Sequence, residues 1–198
     1  MRKAGVVVLI ALAATACSQK TEQPAANSVA PAATPPAAAS PTATTTASAV
    51  LLNLAPDGLS LVDTATGNAR MIAYGVPRAT IEGAVTAALG EPTERGTSKE
   101  CGAGAMDFTT YGDLQLTFQE GKFIGWTINR GPAKGLATAS GIGIGSTRAA
   151  VEKAYDITVE DGSLGIMFSA GSLAGILDGM TKDSKVTDIW GGTVCLID

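Results

Sequence analysis

Two glutamates and a complete lack of histidine limit the chemistry open to this 198-residue sequence. Because histidine is absent, neither a Ser-His-Asp nor a Cys-His catalytic arrangement can form. Glu82 and Glu152 could be imagined as a catalytic carboxylate pair. Each, however, lies four residues after an arginine, Arg78 or Arg148, and that spacing on a helix favours local ion pairing. The sequence therefore predicts no catalytic residue and no enzyme.

Two other segments have the composition of a ligand site without its spacing. The glycine-rich segment 141–147 precedes Arg148, which would allow at most a weak anion site at a helix start. It lacks the Gly-Lys-Ser/Thr of a nucleotide-binding loop, so we interpret it as a flexible connection. Asp156, Glu160 and Asp161 lack EF-hand spacing and are interpreted as a solvated acidic loop. We predict no metal and no cofactor.

The beginning of the sequence has the features of an export signal. Arg2 and Lys3 precede the apolar segment Ala4–Ala16, which is shorter than the roughly 20 residues of a transmembrane helix. It ends in Ala14-Thr15-Ala16-Cys17, which resembles the lipobox of bacterial lipoproteins, although that family usually has leucine where Ala14 stands. The resemblance implies cleavage before Cys17 and lipid, including palmitate, on its thiol. The alternative is an ordinary signal peptide that leaves Cys17 as a free thiol.

A low-complexity segment follows the cysteine. Residues 18–50 consist mainly of alanine, proline, threonine and serine, and they contain no aromatic residue. Such a segment cannot bury enough surface to offset its ordering entropy, so we predict a disordered tether that reaches up to roughly 100 Å. Ser18 rather than aspartate after Cys17 favours the outer membrane, with the protein facing the periplasm. The predicted organisation is a signal peptide (1–16), a lipidated tether (17–50) and a folded domain (51–198).

The two remaining cysteines, Cys101 and Cys195, form an even pair in an exported domain. Disulfides persist in oxidising compartments, so we predict a bond that closes a separation of 94 residues. In the chain-entropy model such a bond stabilises the fold by roughly 4–5 kcal/mol, less any strain. The alternative is two buried free thiols. Segment 51–198 has no cluster of basic residues, so nucleic acid is not an expected partner.

Two segments of the predicted domain match two later segments of the same domain. Residues 74–84 match residues 144–154 at an offset of 70, and Leu114–Phe118 match Leu164–Phe168 at an offset of 50. We therefore predict two repeats, over about 72–130 and 142–198, each a short helix followed by antiparallel strands. The fold class expected is α+β, with the helices on one face of the sheet.

The elements of these repeats have recognisable limits. The first helix is expected to begin at Pro77, to bury Ile81 and Val85, and to end at Gly90. Ser146 or Thr147 is available to cap the second helix, which would bury Val151.

Alternating apolar residues predict the strands. One hairpin joins Leu114–Phe118 to Phe123–Ile128 through a turn with Gly121 at positive φ. An earlier hairpin joins Leu51–Leu54 to Leu59–Val62. Two last strands are expected at Val186–Trp190 and Thr193–Ile197, on either side of Gly191-Gly192.

This pattern resembles two groups of proteins. The segment Ile144–Val151, with Gly-Ser-Thr-Arg before its helix, resembles the small outer-membrane lipoproteins of the SmpA/OmlA type, which support barrel assembly. The tandem arrangement is also similar to the β-lactamase-inhibitor-protein fold. The resemblance implies the fold more than the function, because a fold does not fix a function, and no partner-contact residue can be transferred from either group.

The functional expectation is a non-catalytic envelope lipoprotein that acts as a protein-interaction or scaffold module. Its expected partners are the membrane, through lipid on Cys17, and an envelope protein of unknown identity. Only 5% of the residues are aromatic, so most of the large aromatic side chains are needed in the core; if one of Trp126, Phe123 and Trp190 is exposed, it is the natural contact for a protein partner. The alternatives are an inhibitor or binder of a periplasmic hydrolase and, less favoured, an enzyme that uses carboxylates.

Overall fold

The computed structural model describes residues 50–128 and 135–195, which contain eleven strands and two helices. The predicted signal peptide, Cys17 and the tether up to residue 49 lie outside these residues. The elements follow in chain order: β1 Val50–Ala55, β2 Gly58–Asp63, β3 Ala69–Ala73, α1 Arg78–Leu89, β4 Glu94–Ser98, β5 Met106–Tyr111, β6 Leu114–Gln119, β7 Lys122–Ile128, α2 Arg148–Ala154, β8 Thr158–Gly162, β9 Gly165–Ala170, β10 Leu173–Leu177 and β11 Val186–Gly192.

The first three strands form a small antiparallel sheet in the order β1-β2-β3. The predicted hairpin over residues 51–62 is confirmed, since Leu54 pairs with Leu59 across a tight turn at Pro56 and Asp57. One face of this sheet is buried through Leu52, Leu54, Leu59, Leu61 and Ile72. We call the opposite side the outer face; its rows are Leu51–Val62–Ala69, Asn53–Ser60–Met71 and Ala55–Gly58–Ala73.

The other eight strands form one antiparallel sheet in the order β4-β5-β6-β7-β11-β10-β9-β8. Each helix precedes four of these strands, and β7 meets β11 at the centre, where Thr127 pairs with Trp190. The predicted hairpin of β6 and β7 is confirmed. Its turn has both Glu120 (φ 51°) and Gly121 (φ 72°) in the left-handed region, the conformation that a two-residue hairpin turn requires.

Both helices form close to the predicted positions. Pro77 is the N-cap of α1, one residue before the position expected for it, and Gly90 with positive φ ends the helix. Thr147 caps α2, and its hydroxyl accepts a hydrogen bond from the Ala150 N–H at 3.0 Å.

The predicted α+β class is wrong, because 49% of the described residues lie in strands and 14% in helices. The helices add few side chains to the core: Ile81 and Val85 from α1, and Val151 from α2. Alternating apolar residues in strands supply most of the remainder, and pairing of β7 with β11 joins all eight strands into one sheet. The chain therefore does not divide into two helix-plus-strand repeats.

The match at offset 50 shows where the repeat prediction failed. It aligns the β6 segment 114–118 with 164–168 in β9, yet β6 lies next to the central strand β7, whereas β9 lies next to the edge strand β8. Similar alternation of apolar residues in any two strands can produce such a match. The last predicted strand is also wrong where it is described: residues 193–195 follow β11 without forming a strand, and 196–197 lie outside the described residues.

Candidate functional site

The predicted cysteine pair is joined in the structure. Cys101 and Cys195 have an S–S distance of 2.08 Å and a Cα–Cα distance of 5.2 Å. Cys101 belongs to the connection between β4 and β5, and Cys195 follows β11. The bond therefore links an edge of the eight-stranded sheet to the chain that leaves its central strand.

The chain reaches Cys195 by crossing the backbone of β7. The Thr193 N–H donates a hydrogen bond to the Ile124 carbonyl at 2.9 Å. A Cβ atom on Gly125 would lie 2.1 Å from the Thr193 carbonyl oxygen, so only glycine fits beneath the crossing chain. The disulfide fixes the far end of this crossing.

The three aromatic side chains considered as partner contacts are buried. Trp126 and Phe123 are fully inaccessible, and Trp190 is nearly so. The Trp126 indole N–H donates to the Ala55 carbonyl at 3.0 Å, which ties the eight-stranded sheet to the end of β1. These residues could contact a partner only if they were exposed to solvent, and in this conformation they are not.

Glu82 lies at the centre of a polar network between α1 and β5. One of its oxygens, Oε1, accepts hydrogen bonds from Arg78 Nε at 2.8 Å and from the buried Thr109 hydroxyl at 2.5 Å. Arg78 also donates to Thr109, and its guanidinium lies over the Phe118 ring, 4.7 Å from the centroid. Arg95 approaches the same oxygen at 3.7 Å.

This network keeps Glu82 ionised. Burial alone would raise the pKa of its carboxyl group, but hydrogen bonds from Thr109 and Arg78 and the charges of Arg78 and Arg95 together lower it below the ordinary value. A carboxylate with a lowered pKa and an oxygen already shared by several donors is poorly suited to act as a general acid.

Glu152 occupies a more exposed network around α2. Arg148 Nε donates to its Oε1 at 2.9 Å, and Lys182 Nζ contacts Oε2. Arg148 also donates to the Met180 carbonyl in the connection between β10 and β11. The hydrogen bonds from Lys182 and Arg148 lower the pKa of Glu152. The predicted ion pairs of both arginines with glutamates four residues later are confirmed.

The glycine-rich segment 141–147 directs its backbone N–H groups at the protein itself. Gly141 N–H donates to the Thr138 carbonyl, Gly143 N–H to the Ser146 hydroxyl and Gly145 N–H to the Val186 carbonyl. The first two bonds lie within the connection and the third joins it to β11, so these N–H groups are not directed at an anion.

The acidic residues after α2 lie partly on a strand that the sequence did not reveal. Glu160 and Asp161 belong to the exposed edge strand β8 rather than to a loop, and Asp156 precedes it. Within residues 50–128 and 135–195, no group of three or more acidic or cysteine side chains is placed to hold a metal ion.

The outer face of the three-stranded sheet is a surface that the sequence analysis missed. Leu51 is 47% exposed and Met71 53%, and both lie on this face with the exposed Ala69 and Ala73. The alternation of Leu51 with buried Leu52 was visible in the sequence, but which of the two faces would be covered was not.

No helix in the described part of the chain has the length and apolarity needed to cross a membrane. No protein-family model, no curated protein and no solved structure matches the sequence or the fold.

Proposed function

We propose that this chain is an exported, lipid-anchored protein of the bacterial envelope whose folded part is a non-catalytic protein-interaction module. The observation that carries the proposal is the bond between Cys101 and Cys195. Disulfides of this kind persist in oxidising compartments outside the cytosol, which agrees with the export signal and lipobox-like sequence before Cys17. The lipobox resemblance and Ser18 favour the periplasmic side of the outer membrane.

The networks around the two glutamates support the non-catalytic part of the proposal. The carboxylate-enzyme alternative requires an acid that can gain and lose a proton near neutral pH. Glu82 and Glu152 instead have lowered pKa values and neutralise the arginines beside them. The sequence also provides no histidine that could take over proton transfer.

The inhibitor alternative required exposed aromatic side chains on an open sheet. Because Trp126, Phe123 and Trp190 are all buried, this observation does not support it. The resemblance of Ile144–Val151 to lipoproteins of the SmpA/OmlA type favours a partner among envelope proteins, and we retain that partner class.

Metabolic labelling tests the anchor. Bacteria that produce the full chain are supplied with a palmitate analogue, and membranes are separated from the periplasmic contents. We expect label and membrane association in the wild-type chain and neither in Cys17→Ser. The Cys101→Ser variant is the matched control, because it changes a different cysteine and should keep the label. Equal labelling of wild type and Cys17→Ser would contradict lipidation at this residue.

Two measurements test the interaction role. The full chain, solubilised with its membrane and recovered through an affinity tag, should retain an envelope protein after chemical cross-linking in intact cells. The purified full chain is then assayed on ester, peptide and phosphate substrates. Turnover that disappears in both Glu82→Gln and Glu152→Gln would instead establish the carboxylate enzyme.

A further inference from the structure

Four strands in the described residues lie at the ends of a sheet: β1 and β3 in the small sheet, and β4 and β8 in the large one. The edge of β1 is partly covered, because the Leu54 N–H donates to the Ala137 carbonyl at 2.9 Å, and this leaves β3, β4 and β8 as the open edges. An edge strand presents backbone N–H and C=O groups that can pair with another chain, and proteins usually protect such edges with charged residues. The three edges differ in this protection.

Each edge strand of the large sheet carries two charged residues. In β8, Glu160 is the middle residue, so antiparallel self-pairing over the whole strand would place Glu160 directly opposite its own copy. Like charges in that position are destabilising. In β4, Glu94 and Arg95 are exposed charges, and Gly96 lies against the Phe108 ring, where a Cβ atom would approach within 2.3 Å.

The edge strand β3 lacks this protection. Its residues are Ala-Arg-Met-Ile-Ala, with Arg70 as the only charge, and four of the five positions are exposed. Within residues 50–128 and 135–195, β3 pairs with β2 alone. The exposed side chains of Ala69, Met71 and Ala73 lie on the outer face, so an apolar row borders the open edge.

We propose that β3 pairs antiparallel with β3 of a second copy of this chain, with Met71 at the two-fold axis. A perpendicular two-fold axis keeps equivalent faces on the same side, and the register centred on Met71 is the one that pairs all five residues. It places Ala69 opposite Ala73 of the second copy, Arg70 opposite Ile72, and Met71 opposite Met71.

This register avoids charge repulsion and extends the outer face. The single charge of the strand, Arg70, faces Ile72 rather than another arginine. On the outer face, the row Leu51–Val62–Ala69 continues into Ala73–Gly58–Ala55 of the second copy, with no charged residue among the six. The two three-stranded sheets would thus become one six-stranded sheet.

Such an interface is small. Five paired residues bury less than the roughly 1,000 Å² expected of a stable complex, so the dimer should be transient in solution. Confinement to a membrane raises the effective concentration of tethered molecules. The paired strands belong to the folded part alone, and their pairing does not require the anchor.

Cysteine cross-linking tests the register. The full chain carries Cys17→Ser, so that the added cysteine is the single thiol besides the Cys101–Cys195 pair, and it is studied in detergent. Residues directly opposite each other have Cβ atoms about 5 Å apart, within the range where a mild oxidant can form a bond with small adjustments. We expect Met71→Cys to form disulfide-linked dimers.

Two controls separate the register from nonspecific contact. Met180 is also 53% exposed but belongs to the connection between β10 and β11 rather than to the small sheet, so Met180→Cys should form dimers at least tenfold more slowly. Ala69→Cys alone should also dimerise slowly, because its two copies would be roughly 14 Å apart, yet mixed with Ala73→Cys it should form heterodimers rapidly. Equal rates for Met71→Cys and Met180→Cys would overturn the proposal.

A charge substitution provides a second measurement. Met71→Lys places two ammonium groups opposite each other, and we expect it to weaken self-association in sedimentation at least tenfold, whereas Met180→Lys leaves it unchanged. Equal sedimentation of the two lysine variants would overturn the proposal. Loss of binding to phosphatidylethanolamine–phosphatidylglycerol vesicles in Met71→Lys, without cross-linking of Met71→Cys, would assign the face to lipid instead. Because these chains lack Cys17 or do not depend on it, a failure here is distinct from failure of the palmitate labelling.

Discussion

The two helices begin with the same pair of side chains, an arginine and a glutamate four residues later. The two pairs, however, contact different parts of the fold. Around α1, Glu82 binds a buried threonine of β5, and Arg78 covers the Phe118 ring of β6. Around α2, Glu152 binds Lys182, and Arg148 donates to the Met180 carbonyl, both in the connection between β10 and β11.

The difference shows that an ion pair of the same spacing can have different structural roles. The Glu82 network joins a helix to strands inside the sheet, where the partner hydroxyl of Thr109 has no access to water. The Glu152 network joins a helix to a connection, and the Lys182 side chain is 66% exposed. Removal of a partner is costly where the remaining group stays buried, and much less so where water can replace it.

The largest effect is expected from the disulfide, which joins the β4–β5 connection of the α1 half to the end of the α2 half. We expect Cys101→Ser to lower the free energy of unfolding by roughly 4 kcal/mol, because the unfolded chain regains the freedom of a closed loop spanning a separation of 94 residues. Urea unfolding of the oxidised wild type and the variant measures this. As the control, a reducing agent should destabilise the wild type and leave Cys101→Ser unchanged. Equal stability of the oxidised wild type and Cys101→Ser would show that the bond contributes nothing.

The next largest loss of stability is expected from Glu82→Ala, and it should exceed the loss from Glu152→Ala. Glu82→Ala removes the acceptor of the buried Thr109 hydroxyl and the nearest counter-charge of Arg78, so we expect a loss of about 2 kcal/mol. Glu152→Ala should lose clearly less, because Lys182 is largely exposed to water, Arg148 keeps its hydrogen bond to the Met180 carbonyl, and no buried hydroxyl loses its acceptor. Urea unfolding at neutral pH compares the two variants, which share the same helix position relative to their arginines. If Glu152→Ala were the more destabilised variant, the contrast drawn between the two networks would be reversed.

The contrast should also appear in the dependence on pH and salt. Both glutamates have pKa values lowered in the folded state, so their contribution to stability is present above the ordinary value of 4.5 and is lost as the pH falls through the folded-state value. Glu82→Gln and Glu152→Gln should therefore each reduce the acid loss of stability relative to the wild type.

Salt distinguishes the two sites in that experiment. The pair of Glu152 with Lys182, whose side chain is 66% exposed, is screened by ions, whereas the partly buried pair of Glu82 with Arg78 is screened less. At 0.5 M NaCl, the difference between wild type and Glu152→Gln should shrink more than the difference between wild type and Glu82→Gln. Urea unfolding between pH 6 and pH 3 at low and high salt measures both stability differences. Identical responses of the two differences to salt would contradict the stronger screening of Glu152.

Local sequence signals predicted individual elements better than their assembly. Pro77 and Gly90 marked the limits of α1, and the left-handed turn at Gly121 followed from its position between two alternating segments. Short-range sterics decide these features. By contrast, the pairing of β7 with β11 depends on contacts between residues far apart in sequence, and the periodicity of a strand does not identify its neighbour.

At the candidate sites, too, features that depend on contacts between distant residues were harder to predict than local ones. Pairing of the two remaining cysteines in an exported domain was predictable because few alternatives exist. The burial of Trp126 and Trp190 agrees with the expectation that the few aromatic residues are needed in the core. The open edge of β3 was not predictable, because strand order alone determines which strand is last.

The smallest change in stability is expected from substitution of Lys182. The size of this change shows whether the α2 network resembles the α1 network. Lys182 contacts Glu152 from a largely exposed position, and exposed ion pairs contribute little because ordering two long side chains offsets the attraction. We therefore expect the thermal midpoint of Lys182→Ala to match that of Lys185→Ala, a neighbouring control. A double-mutant cycle with Glu152→Ala should give nearly additive changes, whereas the corresponding cycle of Glu82→Ala with Thr109→Val should be strongly non-additive. Strong coupling of Lys182 to Glu152 would show that the two networks hold their helices by the same means, despite their different exposure.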